Sequence, residues 1–277
     1  MPRLRSVPVY SWNPRRNKLP VLRRFQVGPR VKNFGDLLGP VVVQGILKER
    51  GVGPALRRPG SGTVMAVGSV MHKAHDGDIV WGTGVNGKVA LALHDFTRLD
   101  VRAVRGPRTR EWLRENKGIE APAIYGDPAL LLPTLFPRLR TSAATKRHAL
   151  AVVPNLNELG RFRSHPDFVD PRRPLWEVLE RIASSEVVVG SSLHAIVIGE
   201  ALGIPVGLIA SSAEPPFKYQ DYFEGTGRTA SEYAMFDDFD AAHAHATGIR
   251  TDSYAPLAGW SPEPLLGAFP IDRWVRG

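Results

Sequence analysis

The chain has 277 residues, of which 43% are hydrophobic, and this is enough to form the core of one large domain or two medium ones. Its 36 Lys and Arg against 27 Asp and Glu give a net charge of +9, which favours phosphorylated metabolites, nucleic acid or acidic lipid headgroups as partners. The lack of cysteine excludes disulfides, thiolate nucleophiles and cysteine-ligated metals. The basic, proline-broken N-terminal segment lacks the apolar core of a signal peptide, so we expect a cytoplasmic protein.

The first segment with candidate binding residues is Asn33-Phe34-Gly35-Asp36. It follows a short predicted strand over 7–11 and precedes an apolar helical pattern that ends near Gly51. Gly35 allows close approach of a ligand to the backbone. Asn33 and Asp36 can bind the hydroxyls of an acceptor, although a helix N-cap is the favoured role for Asp36.

Two predicted strands, over 63–67 and 78–81, are each followed by glycine. This rhythm is typical of a parallel sheet, in which ligands bind beyond the carboxyl ends of the strands. Gly82 and Gly84 are therefore candidates for substrate binding. They do not form a dinucleotide-binding motif, because the third glycine and the downstream acid are missing.

Two closely spaced pairs of histidines do not predict a metal site. His72 and His75 flank an Asp-Gly-Asp turn, and no third ligand stands at a suitable spacing. His243 and His245 lie in an alanine-rich segment that predicts a surface helix. We therefore expect neither a metal nor a cofactor.

Arg105 is the candidate anion ligand of the first half. A strand over 100–104 leads through Arg105 into a helix that has Pro107 in its first turn and Gly118 at its end. A guanidinium at such a junction can bind phosphate or carboxylate in a bidentate manner, and a surface ion pair is the alternative. Further on, Asp127 either orients a ligand hydroxyl or caps its own turn.

The domain organisation follows from the segment 133–147, whose prolines, small polar residues and basic charge predict a linker. Glycine-ended strands alternate with helices on both sides of it. This predicts an α/β fold with two Rossmann-like domains facing across a cleft, over 1–135 and 148–277. We expect the acceptor on the first domain, the donor on the second, and the C-terminal tail packed back on the first.

Residues 186–210 predict a strand, a tight loop, a helix over 192–202 with Ser191 as its N-cap, and a final strand. His194 falls in the first helical turn, next to Ser192, where unpaired N–H groups and the helix dipole favour an anion. The histidine either shares that anion and moves a proton or is a packing residue. The polar residues and glycines of this stretch argue against a membrane span.

Lys218 lies between Phe217 and Tyr219, in a segment that we predict to be a loop beyond the last strand. In that position its ammonium group can neutralise a phosphate. The alternative is an exposed, solvated lysine.

Six motifs, taken together and in order, resemble the polysaccharide pyruvyl transferase family. They are NFGD at 33–36, WGTG at 81–84, VRGPRT at 104–109, GDPALLLP at 126–133, SSLHA at 191–195 and FKYQDYF at 217–223. The combination is specific, whereas each motif alone is not. The resemblance implies an architecture similar to two-domain glycosyltransferases of the double-Rossmann (B) type.

The same resemblance implies a reaction. Members of the family transfer the enolpyruvyl group of phosphoenolpyruvate to two hydroxyls of one sugar in an exopolysaccharide or cell-wall glycan precursor, which gives a pyruvate ketal and phosphate. The resemblance places the reactive side chains at Arg105, His194 and Lys218, with Ser191 and Ser192 beside the donor. Ser192 stands where many relatives have arginine. The implied partners are phosphoenolpyruvate, as a substrate, and a sugar or lipid-linked oligosaccharide.

Two other classes of protein fit part of this pattern. A glycosyltransferase that uses a nucleotide sugar would share the architecture and the basic cleft. A non-catalytic basic protein could bind nucleic acid or an anionic membrane, but no nucleic-acid motif is present and we expect no nucleic-acid partner. Peripheral association with the inner face of an anionic membrane stays open.

Overall fold

Two parallel sheets organise the computed structural model, which describes residues 7–15, 28–53 and 62–275. Within these ranges the strands of each sheet lie in chain order. The first sheet contains β1 (Val64–Met65), β2 (Ile79–Trp81) and β3 (Asp100–Ala103), and the second contains β4 (His148–Val152), β5 (Ser185–Gly190) and β6 (Val206–Leu208). The predicted α/β class is therefore confirmed. The predicted strand over 7–11 is reduced to a single parallel bridge between Val9 and Val64.

Helices connect and cover the strands. The α-helices of the described residues are α1 (Leu38–Glu49), α2 (Pro107–Lys117), α3 (Leu132–Leu135), α4 (Arg138–Ala144), α5 (Leu159–Phe162), α6 (Leu175–Ala183), α7 (Leu193–Ala201), α8 (Phe217–Gly225), α9 (Phe239–Gly248) and α10 (Pro262–Gly267). Helix α2 begins at Pro107 and ends at Gly118, which adopts a left-handed conformation with φ of 63°. None of the helices in the described ranges is both long and apolar enough to cross a bilayer.

The segment predicted as a linker, 133–147, is mostly helical instead. Pro133 lies in the first turn of α3 and Pro137 at the N-cap of α4, positions at which proline does not interrupt a helix. Leu135 and Leu139 are both buried in the main hydrophobic cluster. The prolines that suggested a flexible connection therefore begin two short, packed helices.

One hydrophobic cluster contains buried residues of both sheets, including Ile79 and Trp81 of β2 and Val188 and Leu208 of the second sheet. The side chains between the sheets are thus packed as a continuous core. The division into domains at 1–135 and 148–277 stays a prediction.

The C-terminal segment packs on the first sheet. Trp81 Nε1 donates to the Leu265 carbonyl at 2.9 Å, and the Trp81 ring meets Phe269 edge-on with centroids 5.0 Å apart. Trp260 Nε1 donates to the Tyr125 carbonyl at 3.0 Å. These contacts hold the last helix and the residues before it against β2 and Tyr125.

Truncation of Leu265 tests the contribution of this tail to stability. Leu265 is fully buried in the main cluster, so Leu265→Ala should lower the free energy of unfolding by about 2–5 kcal/mol in urea denaturation. Leu266→Ala is the matched control in the same helix, because Leu266 is only half-buried. Equal, small losses for both variants would show that the tail is not part of the cooperative core.

Candidate active site

A pocket of about 310 Å³ opens where strands of both sheets end. Segments that follow β1, β2, β4, β5 and β6 contribute to its wall, as expected at the carboxyl edges of parallel sheets. The lining residues are Trp12, Asn33, Asp36, Ser69, Val70, His72, Asn86, Lys88, Val89, Asn155, Leu156, Asn157, Ser192, Leu193, His194, Glu214 and Lys218.

Helix α7 directs its N-terminus at this pocket, one residue later than predicted. It begins at Leu193 with Ser192 at the N-cap, and no side chain caps it. Ser191 is not the cap, because its Oγ accepts a hydrogen bond from the Asn155 backbone N–H at 3.0 Å. No described residue accepts from the backbone N–H of Leu193 or His194. Free N–H groups at the positive end of a helix favour an anion.

His194 lies on the pocket wall as a neutral imidazole. Its Nε2 lies 3.7 Å from Asp127 Oδ2, and neither atom has a hydrogen-bond partner in the described part of the chain. Burial, together with the positive charges of Lys218 and Arg105, lowers the pKa of His194 from 6.5 to about 3. Gly35 packs on the other ring nitrogen so closely that a Cβ there would lie 2.2 Å from Nδ1.

Asp127 caps its own turn, which is one of the two alternatives predicted from the sequence. It accepts from the Ala129 backbone N–H at 2.9 Å and begins the 3₁₀ turn Pro128–Leu131. That bond uses Oδ1 and leaves Oδ2 facing His194. Burial raises the pKa of Asp127 from 3.8 to about 6, against the opposing effects of the capping bond and of Arg105.

The favoured N-cap role of Asp36 is wrong. A 3₁₀ turn over Gly35–Leu37 precedes α1, so the N-cap position falls on Leu37 and no side chain caps the helix. The Asp36 carboxylate instead accepts from Asn33 Nδ2 at 2.7 Å and lines the pocket. Burial raises its pKa to about 6, while the Asn33 bond and Lys218 act in the opposite direction.

Lys218 lies in a helix and not in the predicted loop. Pro216 is the helical N-cap of α8, and Tyr219, Tyr222 and Phe223 bury the inner face of the helix. The spacing of these aromatic residues is typical of a helix, but the two prolines before them favoured the prediction of a loop. The Lys218 side chain is only 9% exposed, and burial lowers its pKa from 10.5 to about 8.

Glu214 holds two lysines on one side of the pocket. Its carboxylate lies 3.3 Å from Lys218 Nζ, forms an ion pair with Lys88, and accepts from Asn157 Nδ2 at 3.3 Å. Sequence reasoning missed Glu214, since nothing local distinguishes it. Lys88 follows the glycines after β2, and the rule that ligands bind beyond strand ends could have identified it.

Arg105 contacts the pocket wall from behind and does not line it. Its side chain is 1% exposed and forms an ion pair with Asp221 at 2.9 Å, so the pair is buried and not on the surface. Its Nε also donates to Asp221 at 3.0 Å, while Nη1 donates to Ser69 Oγ and Nη2 to the Val85 carbonyl, both at 2.6 Å. Every side of the guanidinium is thus occupied by protein, and Ser69 connects it to the pocket.

The other predicted binding residues divide into two groups. The pocket surface includes Asn33, Asp36, Ser192, His194 and Lys218. Behind it lie Gly35 against His194, Gly82 against Pro128, Gly84 against Arg105, and Ser191 against Asn155. The glycines in the second group allow close packing of the site, because a Cβ at Gly82 or Gly84 would lie less than 3 Å from its neighbour.

The profile of one protein family, described as polysaccharide pyruvyl transferase, matches residues 68–212, which is more than half of the chain and covers most of the pocket-lining segments. The chain belongs to the polysaccharide pyruvyl transferase family. This confirms the resemblance recognised in the sequence motifs.

This pyruvyl transferase family member is similar to the succinoglycan biosynthesis protein ExoV of Rhizobium meliloti (strain 1021). The two are 25% identical over 209 residues, which make up 71% of this chain and 62% of ExoV, so the chain spans less than two thirds of that relative. A solved structure of a functionally uncharacterised protein from Klebsiella pneumoniae matches with a TM-score of 0.44 and 12% identity. It covers 79% of this chain and 87% of its own.

The buried pair behind the pocket gives a stability prediction. Asp221→Ala leaves the Arg105 charge buried without its partner, so we expect a loss of about 3–5 kcal/mol in the free energy of unfolding. Glu224→Ala is the control on the same helix, because its pair with Arg108 is partly exposed and should contribute at most about 1 kcal/mol. A similar small loss for both would contradict the buried-charge argument.

Proposed function

We propose that this chain transfers the enolpyruvyl group of phosphoenolpyruvate to two hydroxyls of one sugar in a polysaccharide precursor, forming a pyruvate ketal and releasing phosphate. The observation that carries the proposal is the convergence of His194, Lys218 and the free N-terminus of α7 on one pocket. Family membership supports polysaccharide pyruvylation. The donor and the steps below are inferred from the chemistry of the pocket.

The pocket has the groups that a phosphoenolpyruvate donor requires. With roughly three negative charges, the donor needs cations and N–H donors arranged around a small volume. The backbone N–H groups of Leu193 and His194 supply donors, and Lys218 and Lys88 supply charge. Glu214 pairs with both lysines, so donor binding replaces one carboxylate by a more highly charged anion.

The reaction consists of two additions to the same carbon. A proton adds to the methylene carbon of phosphoenolpyruvate, and a sugar hydroxyl attacks the cationic centre at C2. Phosphate then leaves with its bonding electrons, and a second hydroxyl adds to close the ketal. As the first hydroxyl adds, its proton passes through the imidazole of His194 to the methylene carbon, and the proton of the second hydroxyl leaves with phosphate or solvent. We assign these transfers to His194, because its imidazole lines the pocket and can accept a proton on one nitrogen and return it.

Asp36 and several side-chain amides support the proposal that the sugar acceptor binds in the same pocket. Asp36 lines the pocket with a raised pKa of about 6, which suits a carboxylate that accepts a proton from a hydroxyl. Asn33, Asn86 and Asn155 place side-chain amides around the same space, as sugar recognition requires. The two sheets that border the pocket support the further proposal of two Rossmann-like domains facing across a cleft.

Two substitutions separate proton transfer from donor binding. His194→Gln should lower kcat by about 10²–10⁴-fold while donor affinity changes little, because an acid or base is lost and a neutral side chain is kept. Lys218→Met should instead weaken donor binding, since a buried cation is removed. The measurements are phosphate release at varied donor concentration and calorimetric titration of phosphoenolpyruvate.

The control for Lys218→Met is Lys48→Met, because Lys48 is an exposed lysine that does not line this pocket. It should leave both measurements unchanged. Normal turnover of His194→Gln at saturating donor would remove the proton-transfer role. Failure of the wild-type protein to release phosphate with any sugar or lipid-linked acceptor would refute the proposed function itself.

An apolar protrusion beside the pocket supports a lipid-linked acceptor and contact with the inner face of an anionic membrane. Leu91 and Leu93 are 46% and 63% exposed and lie just beyond Lys88, which lines the pocket. Insertion of these two side chains into the headgroup region would bring the pocket to the membrane surface. The net charge of +9 favours attraction to anionic lipid.

The Leu91→Ser/Leu93→Ser double variant should sediment less with phosphatidylglycerol vesicles than the wild type and keep its turnover of a water-soluble acceptor. Val275→Ser is the matched control, because Val275 is also 47% exposed but lies in the C-terminal segment. Equal sedimentation of all three proteins would show that this protrusion does not contact membranes.

A further inference from the structure

The capping role of Asp127 does not explain its contact with His194. Asp127 Oδ1 completes the capping bond to Ala129, yet the second oxygen, Oδ2, is buried without a partner among the residues that the structure describes. The atom that it faces, His194 Nε2, is also buried and also without a partner, at a distance of 3.7 Å. Two buried polar atoms that face each other without partners are costly unless they pair in some functional state.

We propose that Asp127 is a positioning residue for His194: its Oδ2 accepts the Nε2 proton of the imidazole, which leaves the Nδ1 lone pair as the reactive position. This inference rests on the proposed function and names a further residue of that site. Asp127 does not line the pocket, so it acts through His194 and not on the substrate.

The geometry of the ring supports this assignment. Nε2 is buried beside Asp127, whereas the His194 side chain as a whole keeps 12% of its surface exposed and lines the pocket. Nδ1 has no hydrogen-bond partner among the described residues and packs along Gly35, where a side chain would displace it. A neutral imidazole has one donor and one acceptor nitrogen, so fixing the proton on Nε2 makes Nδ1 the acceptor.

Protonation of His194 during the reaction would strengthen the pair. When Nδ1 takes a proton from a sugar hydroxyl, the ring becomes an imidazolium, and the Asp127 carboxylate lies next to its positive charge. When the ring gives that proton to the methylene carbon of the donor, it returns to the Nε2–H form. Asp127 keeps its charge during this exchange, and the proton of the second hydroxyl leaves separately with phosphate or solvent.

A purely structural role makes different predictions, because the capping bond and the histidine contact use different oxygens. Asp127→Asn keeps an oxygen for the Ala129 N–H but presents an amide to Nε2, which favours the proton on Nδ1. Asp127→Ala removes both interactions. Capping alone would make Asp127→Asn silent and Asp127→Ala unstable.

The decisive measurement is the tautomer of His194, by ¹⁵N NMR of the imidazole nitrogens, with the signal assigned from its loss in His194→Gln. The wild type should carry the proton on Nε2 and Asp127→Asn on Nδ1. A wild-type imidazole protonated on Nδ1, or an unchanged tautomer in Asp127→Asn, would overturn the proposal. The wild-type spectrum alone decides this if the variant does not fold.

Turnover and stability supply the second test. Asp127→Asn should lower kcat by about 10²-fold or more and change the calorimetric affinity for phosphoenolpyruvate by less than about threefold. It should melt no lower than the wild type at pH 8. Because burial raises the pKa of Asp127 from 3.8 to about 6, its ionisation lowers stability as the pH rises through this window, and the variant lacks that loss.

Asp238→Asn is the matched control, since Asp238 caps α9 by accepting from the Ala241 N–H at 2.8 Å and lies outside the pocket. It should change neither turnover nor the His194 tautomer. Wild-type turnover in Asp127→Asn would overturn the inference while the proposed function stands. A wild-type protein that releases no phosphate would refute the proposed function, and the tautomer would still decide whether Asp127 positions the ring.

Discussion

The buried ion pair between Arg105 and Asp221 determines how the two sides of the pocket meet. Arg105 belongs to the turn between β3 and α2, while Asp221 belongs to α8, the helix that carries Lys218. A buried charge pair is tolerated only when its remaining donors and acceptors are used, and here Ser69, Val85 and Thr109 complete the set. The position of Lys218 relative to the first sheet therefore depends on an interaction behind the pocket wall.

Two glycines make this pair possible. A Cβ at Gly106 would lie 1.7 Å from the Asp221 carbonyl oxygen, and one at Gly225 would lie 2.2 Å from the Arg105 carbonyl oxygen. The backbones of the turn and of the helix are therefore in direct contact, which brings the guanidinium and the carboxylate together. The positive charge held there also lowers the pKa of His194, together with burial and Lys218, and so contributes to keeping that imidazole neutral.

Local sequence signals predicted the framework well where local physics decides the structure. Pro107 and Gly118 mark the ends of α2, and the run from β5 through α7 to β6 follows from an apolar strand, a glycine turn and a helical pattern. The pocket also lies where the rule for parallel sheets places it. Helix N-termini bring five predicted residues to its surface: Asn33 and Asp36 precede α1, Ser192 is the N-cap of α7, and His194 and Lys218 lie in the first turns of α7 and α8.

The predictions that failed concern polar side chains that had good local positions as caps but make other contacts in the fold. Ser191 and Asp36 had good capping positions in the sequence, but Ser191 Oγ accepts from Asn155, 36 residues away, and Asp36 turns toward the pocket. Arg105 was predicted to bind an anion or to form a surface ion pair, and in the structure it forms a buried pair with Asp221, 116 residues away. The contacts of Ser191 with Asn155 and of Arg105 with Asp221 each bring together two segments that form or support the pocket wall. The residues that local rules misplaced are therefore the ones that assemble the site.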